Sequence, residues 1–456
     1  MVFMINGNSL RIISANPANF AEFSLVTHLS APPRVWKQEE RGCEDAFVAM
    51  MKTFLLLILG LAASLQAQTS APVSIDASKH PNLQAAFDAV PESGGLVTIP
   101  PGNYEITEPL RVKTAETRIV GGGAATHIIN KNETGQPAII LRPANLDTEK
   151  KARLWRVQMA DLRISGSEKS GDGIFAEGIQ EIYLEGVSVD HHGGHGIVLK
   201  DCYEDPRVAD CIITYNKKSG IEILGCHDIV VNANHFEENQ DALRCVDAFN
   251  LCMNGNNIDD HLGNGVIIEN TYGSVVSGNM IEECNGTAII LDRDCYGITL
   301  SANVIAHHLE GGIDLRDACG CTISANTFTI AHKFSVRVGK DSERNTISGN
   351  TFCNTYIGAG KDKRPAEHKT PMGIDEGTGV LVEGGVNGLN LNGNTFSGLS
   401  TAAVWSTGEV KNVLVTSNLC MDCGRKLAKN SAWLSFEQKT GVMIKDNLIE
   451  SPSSAP

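Results

Sequence analysis

The stretch ISANTF at 323–328 returns as ISGNTF at 347–352, twenty-four residues further on. More copies read VNANHF (231–236), MNGNNI (253–258), VSGNMI (276–281), LSANVI (300–305), LNGNTF (391–396), VTSNLC (415–420) and IKDNLI (444–449), with weaker versions at VADCII (208–213) and GVSVD (186–190). The shared asparagines are Asn234, Asn256, Asn279, Asn303, Asn326, Asn350, Asn394, Asn418 and Asn447, and most neighbours lie 22 to 24 residues apart. A fixed period of this size is the mark of a solenoid. Each unit holds a second β piece, such as GHGIVLK (194–200), SGIEIL (219–224), TAIILD (287–292) or GGIDLR (311–316), in which apolar residues alternate. The intervening segments are too short for crossover helices. Successive turns must therefore stack strand on strand, in parallel, about 4.8 Å apart. The expected fold is an all-β parallel β-helix, with the asparagine amides donating and accepting along the stack.

Composition agrees. The chain has 456 residues, 42% of them hydrophobic, only 5% aromatic, with 45 glycines, which suits short strands and tight turns. A net charge of −15 argues against nucleic acid as a partner and disfavours anionic polymers unless cations or arginines compensate.

MKTFLLLILGLAASLQAQ at 51–68 has a lysine, an apolar core and Ala67 near a cleavage point, the anatomy of a secretory signal. The apolar run is too short to span a bilayer comfortably. The expected organisation is an over-extended start at 1–50, a signal peptide at 51–67, an N-terminal cap with the first turns at 68–125, the β-helix at 126–450 and a tail at 451–456. The mature protein would then be secreted or periplasmic and free of the membrane. Thirteen cysteines fit export without forming a zinc pattern. Cys202 and Cys226 fall at the same place on neighbouring turns, within reach of a rung-to-rung disulfide. Cys245 and Cys420 fall where other turns carry Leu, Ile or Phe, which suits buried thiols.

Before the repeat, HPNLQAAFDAVPESGGLVTIPPGNYEI (80–106) reads as an amphipathic helix, a Gly turn, a strand and a Pro-Gly turn, followed by RIVGGG at 118–123. A helix at 82–90 can cover the open end of a solenoid. With the repeat itself, these pieces resemble the pectate-lyase-like superfamily over residues 75–450. The resemblance implies a right-handed parallel β-helix and leaves lyases, hydrolases, epimerases, esterases and non-catalytic surface proteins open. One unit is long: Asn350 to Asn394 spans 44 residues. Its excess, YIGAGKDKRPAEHKTPMGIDEG (356–377), marks a loop on one face.

Aligned on the asparagines, one outward column of the second strand reads Glu222, Arg244, Ile267, Ile290, Asp314, Arg337, and the next Leu224, Val246, Glu269, Asp292, Arg316, Gly339, with Asp294 and Asp317 just beyond. Acids and arginines thus gather on turns 280–340, as a glycan face or as a surface ion-pair network. GIDLRD (312–317) is similar to a GFDPHD-type motif of alginate C5-epimerases in its glycine and both aspartates, but has Leu315 and Arg316 where that family carries proline and histidine. The turn after the asparagine gives Glu237-Glu238, Asp259-Asp260 and Glu282-Glu283 on successive turns. Stacked carboxylates raise one another's pKa, and Glu237, Asp259 and Glu282 form a candidate Ca²⁺ site or a solvated acidic stripe. Histidines share these turns: His192, His261 and His308 fall in one column, and His307 or His308 sits beside the GIDLRD strand.

The function expected is therefore action on a polysaccharide. Elimination would use His308 as base, with Arg316 and Arg337, or Ca²⁺, neutralising a uronate. Hydrolysis would use the carboxylates Asp292 and Asp314, with Asp317 a further contact. A non-catalytic glycan-binding surface protein is the third possibility. Oligomeric state is not written in the sequence.

Overall fold

The computed structural model describes residues 2–6, 9–13, 73–354, 377–424, 426–427, 433–436 and 441–450. The chain divides into two units, Met1–Ser70 and Ala71–Pro456. In the first, Val2–Asn6 and Ser9–Ile13 pair as an antiparallel hairpin. The signal-like segment and the inserted 356–376 lie outside the described residues.

The second unit is a right-handed parallel β-helix of about 14 turns. One face is a thirteen-stranded sheet running from Leu110–Val112 to Leu434–Ser435. Strand Thr287–Asp292 lies between Val266–Glu269 and Gly311–Leu315. The other faces stack the asparagine phrases, for example Thr322–Ser324 on Thr299–Ser301 and Thr327–Thr329 on Val304–Ala306. Alternation decides what points inward. Ile213, Phe236, Ile258, Ile281, Ile305, Phe328, Phe352 and Phe396 form one continuous column in register. Each is at most 1% exposed, and the last three rings stack at 4.8 and 4.6 Å.

The asparagine ladder has the expected polarity. Asn326 Nδ2 donates to Asn350 Oδ1 at 3.0 Å, and the Asn326 backbone N–H donates to the same oxygen at 2.9 Å. The contact repeats from Asn234 to Asn447 and crosses the long unit, where Asn350 Nδ2 meets Asn394 Oδ1 at 3.0 Å. The residue before each asparagine is left-handed: φ is 56° at Ala325 and 66° at Gly349. That conformation tightens the corner, and it is why the phrase wavers between SAN and SGN.

The N-terminal end is capped as expected. Leu83–Asp88 is helical, with Asn82 Oδ1 accepting from Ala85 N at 2.9 Å. Leu83, Ala86 and Phe87 enter the core. Gln84 closes the free sheet edge, accepting from Arg111 N at 2.7 Å and donating to Arg111 O at 3.1 Å.

The cysteine expectation needs correction. Cys202 and Cys226 do occupy adjacent turns, but both are free thiols with no exposed surface. Cys202 N donates to Cys226 Sγ at 3.3 Å, so the sulfur accepts a backbone hydrogen bond instead of bonding its neighbour. Cys245 and Cys420 are buried free thiols, as their positions suggested.

Candidate functional site

The expected face at turns 280–340 has the alignment read from the sequence. Glu222, Arg244, Ile267, Ile290, Asp314 and Arg337 are cross-rung partners in one column. Its acids, however, are occupied. Asp314 is 2% exposed and accepts from Arg337 Nε and Nη2 at 2.7 and 2.8 Å and from Arg316 Nε at 2.9 Å. Arg316 reaches on to Asp292 at 3.5 Å, and Arg337 to Glu383 at 3.9 Å. Asp317 accepts from the backbone of Asp294 at 2.9 Å, holding a turn. Arg244 likewise ties Glu222 to Glu269. This face is an ion-pair lattice.

His308 is also placed differently from the expectation. It has no exposed surface, its Nε2 lies 3.1 Å from Ile281 O, and burial lowers its pKa to about 4. His192 and His261 are equally buried, each also lowered to about 4 by desolvation. The cause is local. His191, Asp260 and His307 are left-handed, with φ of 60°, 50° and 59°. The chain reverses at each, and the following histidine swings into the core. None of the three buried rings can reach a substrate.

The same corner turns its preceding residues outward, and there the functional groups collect. On consecutive turns, Asp190-His191, Thr214-Tyr215, Glu237-Glu238, Asp259-Asp260, Glu282-Glu283 and Ala306-His307 make one strip, in register through Asp190, Thr214, Glu237 and Asp259. At its start is a cavity of about 580 Å³, lined among others by Arg163, Asp190, His191, Tyr215, Glu238 and Leu262. Arg163 grips Asp190 with Nε–Oδ2 2.8 Å and Nη2–Oδ1 3.0 Å. His191 Nδ1 lies 2.7 Å from Asp190 Oδ1. Burial alone would raise the Asp190 pKa, but the hydrogen bonds from Arg163 and His191 outweigh it, and the group stays below its ordinary value. The His191 and Tyr215 rings stack at 4.9 Å, and Tyr215 and Leu262 are 39% and 52% exposed.

Beyond the cavity the carboxylates behave as stacked like charges should. Asp260 is pushed up to about 6 by burial and then by Asp259 and Glu283, and Asp259 is raised by burial and Glu282. The expected triple of Glu237, Asp259 and Glu282 is not where ligand atoms converge. Among the described residues the converging group is Glu282, Glu283 and His307, whose ligand atoms all lie within 4.8 Å of one another. Sequence reasoning saw the acidic turns and counted His191 among the turn histidines, but saw neither its pairing with Asp190 nor Thr214-Tyr215. Continuing the same alignment two turns back finds both.

A model described as "Right handed beta helix region" matches residues 123–251. The chain is a right-handed parallel β-helix repeat protein. A second model, "Periplasmic copper-binding protein (NosD)", matches residues 218–376 of the β-helix protein. No curated protein sequence matches it. Among solved structures it is similar to pre-mature bacteriophage phi29 gene product 12, at 12% identity and TM-score 0.61, covering 80% of this chain and 54% of that one. Bacteriophage CBA120 tailspike protein 3 follows at 14% identity and TM-score 0.52, covering 74% and 60%. The A-module of a mannuronan C-5 epimerase from Azotobacter vinelandii shows 15% identity and TM-score 0.43, covering 84% and 99%. The chain thus spans little more than half the length of the two phage proteins. These likenesses concern the fold.

Proposed function

We propose that the β-helix protein is exported to the periplasm or cell exterior and binds a polysaccharide in the Arg163–Leu262 cavity. The cavity itself carries the reading. It joins a stacked, half-exposed ring pair and an exposed leucine, which suit the apolar faces of sugars, to the Arg163–Asp190 fork and the Lys217–Glu168 pair (2.8 Å), which suit hydroxyls. Export is supported by the 51–68 segment and by the periplasmic family whose model it matches.

Six carboxylates, Glu237, Glu238, Asp259, Asp260, Glu282 and Glu283, continue from the cavity along the axis. A polyuronate lying there would meet like charge, so the polymer is neutral. Elimination loses its candidate base, because His308 is inside the core. Hydrolysis is the second reading, favoured by one observation: Asp190 and Glu238 line the same cavity, and a carboxylate pair is what glycoside hydrolysis needs.

The test is calorimetric titration of neutral and uronic polysaccharides into the full chain and into Tyr215→Ala. Binding of a neutral polymer, weakened ~10-fold or more in the variant as expected for loss of an aromatic platform, supports the proposal. No binding, or equal binding by the variant, overturns it. New reducing ends that vanish in Glu238→Gln would move the protein to the hydrolases.

A further inference from the structure

At the far end of the strip, Glu282, Glu283 and His307 form a constellation outside the cavity proposed to hold the glycan. His307 Nδ1 lies 2.7 Å from Glu282 Oε1 and 3.5 Å from Glu283 Oε1. Nδ1 itself is buried and makes no hydrogen bond of regular geometry. A ring nitrogen withdrawn from water, with two carboxylate oxygens converging on it within 4.8 Å, is a ready ligand atom. The backbone fixes the arrangement. Glu283 and His307 occupy the left-handed corner on consecutive turns, with φ of 50° and 59°. Glu282 faces Ala306 across the rung, and that small side chain leaves its carboxylate room to lie beside the imidazole.

We propose that Glu282, Glu283 and His307 bind one divalent cation of borderline character, the zinc and copper(II) class. The donor set selects it. One imidazole with two carboxylates suits Zn²⁺ or Cu²⁺, whereas Ca²⁺ takes six to eight oxygens and no nitrogen. Copper, named by the matching family model, fits this group only in its divalent state. The monovalent ion prefers thiolate and thioether, and the group offers neither. The three residues come from two adjacent turns, so the bound ion would pin Met280–Glu282 to Val304–Ala306 at their shared corner. The inference does not rest on the glycan cavity, although a bound ion would offset part of the negative charge that argues there for a neutral polymer.

The decisive experiment uses the untagged full chain, stripped with chelator and titrated with Zn²⁺ by calorimetry. One ion per chain is expected, uncontested by millimolar Ca²⁺ or Mg²⁺, with affinity lowered ~100-fold in His307→Ala. Loaded instead with Cu²⁺, the protein should show electron-spin-resonance coupling to a single imidazole nitrogen, absent from that variant. Glu282→Gln provides a second arm, weakening binding ~10-fold while keeping the corner's shape. Thermal melting of each metal-free variant confirms that it is folded. Absence of saturable binding, equal competition by Ca²⁺, coupling to several nitrogens, or wild-type affinity in a folded His307→Ala would each overturn the proposal.

Discussion

The Asn326 side chain serves four hydrogen bonds at once. Its Oδ1 accepts from the N–H and the Nδ2 of Asn303, and its Nδ2 donates to Leu300 O and to Asn350 Oδ1. Asn326→Leu would strand several of these groups in a site that is 1% exposed. Each stranded group costs about 1–3 kcal/mol, so a loss of about 3–6 kcal/mol is expected in urea unfolding. Ala325→Gly should act the other way. The left-handed strain on alanine, about 1–2 kcal/mol, exceeds the chain entropy added by glycine, about 0.5–1 kcal/mol, and the midpoint should rise slightly. Asp314→Asn shows where a sequence argument falls short. Outward-pointing residues normally contribute about 0.5 kcal/mol or less, and the strand alternation does turn Asp314 outward. Its carboxylate is nevertheless covered by two guanidiniums. Removing the charge should cost about 2–3 kcal/mol, below the 3–5 typical of fully buried pairs because the arginines remain 31% and 43% exposed. Alternation tells which side of a sheet a residue takes, not what lies across it.

At the scale of the element, the corner is the unit of design. One left-handed residue keeps its own side chain on the outer face and turns its successor inward. This pairs an outer strip of titratable groups with an inner column of His192, Asn216, Asn239, His261, Cys284 and His308. The outer strip was half legible, because repeated acid pairs stand out even when unaligned. The histidines of the inner column were aligned from the sequence, but their burial was not legible, because a histidine reads alike on either side of a reversal. Its burial has a pH signature. His192 and His261 sit near 4 when folded and near 6.5 when unfolded. Their contribution is complete above about pH 6.5 and is lost as pH falls toward 4, because over that range the unfolded chain takes up protons that the folded one refuses. The loss is about 3 kcal/mol per histidine at most. His261→Asn installs the residue already used at 216 and 239. The expected result is a flatter dependence of the urea midpoint between pH 7 and pH 4.5, with little change at pH 7.

Across the whole molecule the two ends differ. The first turns are covered by Leu83–Asp88 and Gln84, while at the other end Leu448 and Ile449 are 69% and 47% exposed. Opening should therefore begin at the tail and travel inward, as expected of a stack whose turns touch only their neighbours. Hydrogen–deuterium exchange should find Val442–Lys445 and Leu448–Ile449 exchanging well before Gly95–Thr98. Equal protection at both ends would show that the helix contributes nothing. Architecture at this scale was the most legible of all, since a period of 22 to 24 residues admits few other folds. The cavity was less so, because Asp190 and His191 fall where the repeating phrase has decayed to GVSVD, and Arg163 lies one turn earlier still.

The bond between Asn350 and Asn394 has a practical corollary. At 3.0 Å it matches the bond between Asn326 and Asn350, although 44 residues separate the first pair and 24 the second. The framework does not register the length of chain spliced between those two rungs. A change of chain length at 356–376 should therefore leave the asparagine stack on either side of it in place, so that segment is where the sequence can be rewritten at least cost to the scaffold.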